Sequence, residues 1–475
     1  MSTTTGIVGT LSAGWNYGGP ACIMYGWPLV CFFTTFIGLS MAEITSGLPC
    51  AGGPYFWSAW LGGKRGPLYS WITAWFNILA QVATLASVTS ELMAIISTSV
   101  SLHYGIVLSQ GHLYAMFVGT MVCVGLMNSG STRVLLRTIS FSLFWQVLAT
   151  VVMVLVLPTV APWHQSASFV WKTSFGVDQS TSGITSKGYL YMQSLLLPQY
   201  AMIGYDACAH MSEETTNAGR SAPRAILLSL FASYFAGYIL LIGMLFCVQD
   251  PSNVMTGSAG GFASFQIVYD AFTARFGNGS AGILFMLVPT IALLLCLFSF
   301  VTSSSRLLYS FARNQGLPFS KFWSKIDSVT HTPRRTVWLA TCLAIVMGLP
   351  LLQSFTALAA VTTLCTGGSM IAYGIPIACK LTVGRGAFVP GSFHLGRWSD
   401  AIGTIALIWI AFSVANFMLP SVYPITLETF NFTPVAVICI LIGSVITWYL
   451  PGRGACYYFQ APKFKRPLRS RTVQR

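Results

Sequence analysis

The stretch Gln199-Tyr-Ala-Met-Ile-Gly-Tyr-Asp-Ala-Cys-Ala-His210 decides how the chain folds. It lies in an apolar run with no charge between Lys187 and Asp206. A carboxylate at membrane depth costs roughly 2.5–3.5 kcal/mol on insertion scales, so Asp206 needs a partner, a proton or a cavity. Gly204 loosens the helix ahead of it, and the Tyr205 ring is able to close over a small ligand. A glycine, an aromatic and a carboxylate inside one apolar span are what a discontinuous transport helix requires.

Composition extends this reading to the whole chain. Hydrophobic residues make up 54% and charged residues 8% of 475, against about 25% charged in soluble domains. Mean hydropathy is +0.69. Charge-free runs recur at 138–171, 188–205, 225–249, 276–305, 401–427 and 429–452, and 336–379 is long enough for two helices broken at Gly348-Leu349-Pro350. A bilayer-spanning helix needs about 20 residues. Full spans are expected near 22–42, 68–98, 112–130, 138–160, 188–209, 223–247, 281–305, 336–352, 356–379, 401–420 and 430–450, with a partial span near 5–15. The apolar runs are continuous rather than alternating, which excludes barrel strands. The opening Met-Ser-Thr-Thr-Thr-Gly6 carries no signal-peptide n-region. The first helix is therefore expected to be truncated at its N-terminus, as half a helix or as a reading that begins inside one.

The net charge of +14 does not point to nucleic acid, because of where the charge lies. With an inner N-terminus and twelve spans, all of the 25 Lys and Arg residues except Lys172, Lys187 and Arg275 fall on the inner side. This distribution follows the positive-inside rule and places the C-terminus in the cytoplasm. The expected organisation is one transmembrane domain, 1–451, followed by a basic cytoplasmic tail, 452–475. The twelve cysteines show no metal or disulfide spacing. Plasma membrane and internal membranes both fit.

Two breakable segments occupy matching places in two halves, Thr5-Gly6-Ile7 in the first span and Gly204-Tyr205-Asp206-Ala207 in the sixth. Such pairs mark a midplane substrate site. Unwound N–H groups at Gly6 would bind a carboxylate, and free carbonyls near Gly204 an ammonium, which together favour a zwitterion.

An ordered set of motifs runs along nearly the whole chain: Tyr17-Gly-Gly-Pro20, Gly38-Leu-Ser-Met-Ala-Glu43, Ala51-Gly-Gly-Pro-Tyr-Phe-Trp57, Trp71-Ile-Thr-Ala-Trp75-Phe-Asn77, Gly204-Tyr-Asp-Ala-Cys-Ala-His-Met-Ser-Glu-Glu-Thr215, Ser304-Ser-Arg306, Phe388-Val-Pro-Gly391 and Tyr423-Pro-Ile-Thr-Leu-Glu428. With these the chain resembles the amino acid–polyamine–organocation superfamily. Within it, the chain is most similar to the amino-acid/choline permeases, which include plant bidirectional amino-acid transporters and fungal GABA/choline permeases. The resemblance implies an all-α polytopic membrane protein of two inverted five-helix repeats, about 1–160 and 188–380, plus peripheral helices 11 and 12 at about 401–450. It implies that Thr5, Gly6 and Ile7 face the substrate carboxylate, that Tyr205 is an aromatic gate, and that Gly204, Asp206 and Ala207 form the break.

Other polar residues have narrower readings. Glu43 ends the second span, where it would either latch an inner gate by pairing with an inner-loop arginine or sit as a helix-end carboxylate in the membrane interface. Glu213 and Glu214 precede Arg220 and Arg224, and an inner charge network among them is expected. Ser299, Thr302 and Ser303 offer hydroxyls for a cation site opposite helix 1. His210 reads as structural rather than as a proton carrier, and Glu91 either as lining the outer vestibule or as sitting near the membrane surface. No metal site or cofactor is expected, and proton and sodium coupling both stay open. The six histidines are isolated, and neither His-Glu-x-x-His nor Gly-x-Ser-x-Gly occurs, so an enzyme is excluded. The expected function is secondary transport of amino acids by alternating access. An amine permease, a non-transporting truncated form and a nutrient sensor on the same scaffold are the alternatives.

Overall fold

The protein is described here by a computed structural model. It describes residues 3–174, 183–349, 357–420, 422–426 and 430–462, with 357–360 as backbone alone. No strand occurs among the described residues. In chain order the helices are α1 (Thr3–Gly47), α2 (Pro54–Leu61), α3 (Gly66–Tyr104), α4 (Gln110–Asn128), α5 (Thr132–Val160), α6 (Ala167–Lys172), α7 (Lys187–Ser194), α8 (Leu196–Ala201), α9 (Ala207–His210) and α10 (Ala218–Phe246). They continue with α11 (Asn253–Thr256), α12 (Ala263–Phe276), α13 (Ser280–Phe285), α14 (Leu287–Arg313), α15 (Ser320–Trp323), α16 (Arg334–Met347), α17 (Ala357–Leu381), α18 (Ser399–Met418), α19 (Thr433–Tyr449) and α20 (Ala455–Tyr458).

Eight helices among the described residues are long and apolar enough to cross a bilayer. α1 holds two of the expected crossings, because Gly19 (φ 74°) turns the chain between residues 3–18 and 20–47. Only glycine adopts that backbone readily, and Pro20 after it offers no N–H to continue the ladder. With both arms of α1, the interrupted α7–α9, α16 and the shorter α19, the twelve expected segments are present.

α3 sits at the centre and is buried along nearly all of its apolar length. Small residues on it, including Ala80, Ala83, Ser87 and Ser90, let neighbours approach from several sides. α5 is peripheral and turns Leu143, Phe144, Val147, Val151 and Leu155 outward, as a lipid-facing stripe would. Helix ends follow local chemistry. Pro67 lies in the first turn of α3, and Gly105 (φ 68°) ends it in a left-handed cap. Ser109 caps α4 by accepting from the His112 N–H. Gly348 caps α16, and the Pro350 expected to break the run lies outside the described residues, as does most of the basic tail.

Two helices of eight or more residues lie where no span was expected. α2 follows the glycine-rich turn at 47–53 and buries Tyr55, Phe56 and Trp57. α12 occupies the connection between α10 and α13–α14. Both are shorter than a span, so they leave no span-length signal in the sequence.

Candidate functional site

The sixth expected span is broken where Gly204 predicted. Helix stops at Ala201 and restarts at Ala207, with Gly204 at φ 90°. A Cβ at Gly204 would lie 3.2 Å from the Phe300 ring of α14, so the position needs glycine for conformation and for space.

The first helix behaves differently. Thr5, Gly6 and Ile7 lie within continuous helix from Thr3, and no unwinding occurs at Gly6. The reason is packing. A Cβ at Gly6 would lie 2.8 Å from the Ala201 Cα, so the glycine lets α1 cross the edge of the α8–α9 break in backbone contact. Thr10 Oγ1 donates to the Gly6 carbonyl at 2.6 Å, and Ile7 is fully buried.

Two cavities meet at this crossing. A large one, about 520 Å³, is lined by Gly9, Thr10, Ser12, Ala13, Asn16 and Tyr17 of α1, by Glu91, Ser97, Thr98 and Ser101 of α3, and by Ser258–Phe262. A small one, about 20 Å³, lies at the break itself, lined by Thr5, Gly6, Thr84, Tyr200, Ala201, Ile203 and Phe300. Glu91 lines both. It is the only charged residue between Arg65 and Arg133. That isolation is the signal that also marked Asp206.

Asp206 lines neither cavity. It is 1% exposed and turns into a polar chain. Ser304 Oγ donates to Gln81 Oε1 at 3.0 Å, and Gln81 Nε2 donates to Asp206 Oδ2 at 3.5 Å. His210 Nε2 is 3.3 Å from the same oxygen, and its Nδ1 is 2.9 Å from the Ala51 carbonyl. A carbonyl only accepts, so Nδ1 carries a hydrogen. Asn77 Nδ2 lies 3.5 Å from the same ring nitrogen, so His210 Nε2 is faced by both an amide donor and a carboxylate. Tyr205 is buried with its ring 5.2 Å from that of Tyr373. It faces α17 and not the cavities, and the rings at the break are Phe300 and Tyr200.

Ion pairs gather at the C-terminal ends of α1, α14 and α17. Glu43 pairs with Lys380 at the end of α17, accepts from Ser399 Oγ at 2.7 Å and accepts from the Leu395 N–H at 3.0 Å. Its partner is a lysine where an arginine was expected, because α17 brings its C-terminus against the end of α1. Glu213 takes a two-pronged bond from Arg313 (2.9 and 3.1 Å), and Glu214 is bound by Arg306 at 2.8 Å. The Arg313 bond holds the Glu213 carboxyl below its usual value. The network expected with Arg220 and Arg224 thus closes on α14 instead. Arg220 is exposed and makes no ion pair among the described residues. On the same face the segment 388–395 is tied to α1. The Phe393 N–H donates to Ser46 Oγ at 2.9 Å, Ser46 Oγ donates to the Gly219 carbonyl at 2.8 Å, and a Cβ at Gly391 would lie 2.1 Å from the Ser46 carbonyl oxygen.

The cation set is dispersed. Ser299 donates to the Leu295 carbonyl, and the single Thr302 hydroxyl hydrogen is directed at Asn128 Oδ1 of α4 (2.6 Å), with the Phe298 carbonyl at 3.0 Å. The Thr302 hydroxyl therefore faces α4 rather than helix 1. Ser303 is buried with its hydroxyl unbonded.

Comparison with known proteins follows the same lines. A family model described as amino acid permease matches residues 1–445. The chain is similar to "Amino-acid permease BAT1" of Arabidopsis thaliana, with 38% identity over 97% of this chain and 90% of that protein. It is 37% identical to the "Amino-acid permease BAT1 homolog" of Oryza sativa subsp. japonica, over 97% and 89%. The "GABA-specific permease" of Saccharomyces cerevisiae is 29% identical over 92% of this chain and 75% of its own length.

Proposed function

Because the chain belongs to the amino acid permease family and is a membrane transporter rather than an enzyme, we propose that it carries amino acids by alternating access, through a site where α1 crosses the break between Ala201 and Ala207. One observation carries this reading: the large cavity reaches the crossing at Glu91, while ion pairs link the ends of α1, α14 and α17. The 520 Å³ cavity includes Glu91 and Gly9 at the crossing, and the Glu43–Lys380, Glu213–Arg313 and Glu214–Arg306 pairs would close the other side. Asymmetric access is the geometry of one end state of a transport cycle.

The positive-inside distribution assigns the charge-rich face to the cytoplasm. The conformation is then outward-open, with the ion pairs as the closed inner gate. A zwitterionic amino acid suits the site. The cavity supplies hydroxyls and backbone from Gly9, Thr10 and Ser12, and Glu91 is the one carboxylate on its wall. The two halves 1–160 and 188–380 would serve as inverted repeats rocking about the crossing.

The test is uptake and efflux of labelled L-alanine, L-glutamine, L-lysine, L-glutamate and γ-aminobutyrate in proteoliposomes. Saturable counterflow of at least one is expected. Absence of all exchange by protein that is folded and inserted would refute the reading.

A further inference from the structure

Glu91 is buried at 2% exposure, and neither carboxylate oxygen makes a hydrogen bond. The Tyr200 phenol is within interaction range, but it gives its proton to Ser87 Oγ at 2.9 Å. The other ionisable group facing Glu91 is the Cys365 thiol of α17, which donates no positive charge. No lysine, arginine or histidine pairs with Glu91 among the described residues. Helix α1 makes room for the carboxylate. A Cβ at Gly9 would lie 2.3 to 2.7 Å from its Cδ and both oxygens. A buried carboxylate without a bonded partner is unfavourable unless neutralised, and this one lines both the large and the small cavity.

We propose that Glu91 is the counter-charge for a primary ammonium group of the substrate, received between Gly9 and Tyr200. This deepens the transport reading and rests on it. An ammonium brings three N–H donors and a positive charge, which two unbonded carboxylate oxygens accept. Asp206 does not take this role, since Gln81 and His210 already occupy its Oδ2 and it lines neither cavity. The ammonium is either the α-amino group or a terminal amine on a longer side chain.

The experiment measures ligand binding by thermal stabilisation of the detergent-purified full chain, alongside counterflow in proteoliposomes. L-alanine presents only an α-ammonium, N-α-acetyl-L-lysine only a terminal one, and propionate neither. Glu91→Gln keeps the shape and removes the charge. It is expected to weaken binding of the ammonium ligands roughly ten- to hundredfold, the range for a charge-assisted bond, without lowering the melting temperature of the empty protein. Loss for L-alanine alone assigns the α-ammonium, and loss for N-α-acetyl-L-lysine alone assigns the terminal amine. Gly9→Ala, which pushes a methyl into the carboxylate, should reproduce the loss. Unchanged affinities in Glu91→Gln would overturn the proposal, as would unchanged affinities with a displaced pH profile, the mark of a proton site. Wild-type protein that neither binds nor exchanges any of the uptake panel would instead overturn the transport reading itself. Wild-type exchange that Glu91→Gln matches would remove only the role of Glu91.

Discussion

Replacing Lys380 with methionine separates a gate from an incidental contact. Glu43 and Lys380 are 2% and 6% exposed at their side chains, so solvent screens neither. Removing one partner of a buried pair costs about 3–5 kcal/mol, because the other charge stays behind uncompensated. Here the stranded Glu43 keeps Ser399 Oγ and the Leu395 N–H, which places the loss at the lower end, about 3 kcal/mol. If the pair exists only while the charge-rich face is closed, that loss appears as a shift of about a hundredfold toward the state open on that face. The assay is a thiol-reactive fluorophore, read on heating, since Cys31, Cys247, Cys296, Cys365 and Cys379 are buried and free. Lys380→Met should react earlier and at lower temperature than wild type. Glu43→Gln combined with Lys380→Met should recover most of the difference, because no charge is then stranded. A double variant whose loss equals the sum of the two single losses would refute the reasoning.

Four further outcomes are expected. Gly6→Val should insert normally yet lose at least about tenfold in uptake, because its side chain meets the Ala201 backbone and a buried backbone clash of this kind costs 1–3 kcal/mol or more; unchanged uptake would show that the crossing is not the site. Gly204→Ala should cost about 1–3 kcal/mol of stability through its φ of 90°, read as a lower melting temperature. Asp206→Asn retains an amide able to donate to His210 Nε2 but removes the carboxylate, so it should fold and transport poorly, whereas wild-type uptake would reduce the pair to a structural contact. Glu213 has its carboxyl pKa lowered from 4.5, first by the Arg313 bond. Its contribution is therefore full above pH 4.5 and is lost as the pH falls through the lower folded value. Glu213→Gln should therefore lower the melting temperature slightly at neutral pH, a loss of less than about 1 kcal/mol because the pair is two-fifths exposed, and match wild type once the pH is below the folded value.

Span positions were legible in the sequence because lipid permits only long apolar helices, and the break at Gly204 because a glycine beside an unpaired carboxylate has few other uses there. Gly6 was misread for a physical reason. A glycine that unwinds a helix and one that admits a neighbouring backbone look identical in sequence, and only the packing of Ala201, whose Cα would lie 2.8 Å from a Cβ at position 6, tells them apart. The ion partners were equally hidden. Arg220 and Arg224 are near Glu213 in sequence, but Arg306 and Arg313 are near it in space, because α14 returns past the end of α9. Tyr205 was placed over the ligand, whereas the turn at Gly204 sends its ring toward Tyr373. Phe300 and Gln81, which flank the break, carry no sequence signal that separates them from ordinary span residues.

The segment 388–395 has a mechanical consequence. It joins α17 to α18, yet its contacts run to the last turn of α1 and, through Ser46 and Ser392, to Gly219 at the start of α10. In the proposed transport cycle it would act as a strap that ties the connection between α17 and α18 to α1 and α10 when the charge-rich face opens. A strap of this kind sets the rate of opening without touching the cargo. An antibody fragment that clamps it would slow turnover while leaving substrate affinity on the far side unaltered. A proteolytic cut within it would release the face without unfolding either half.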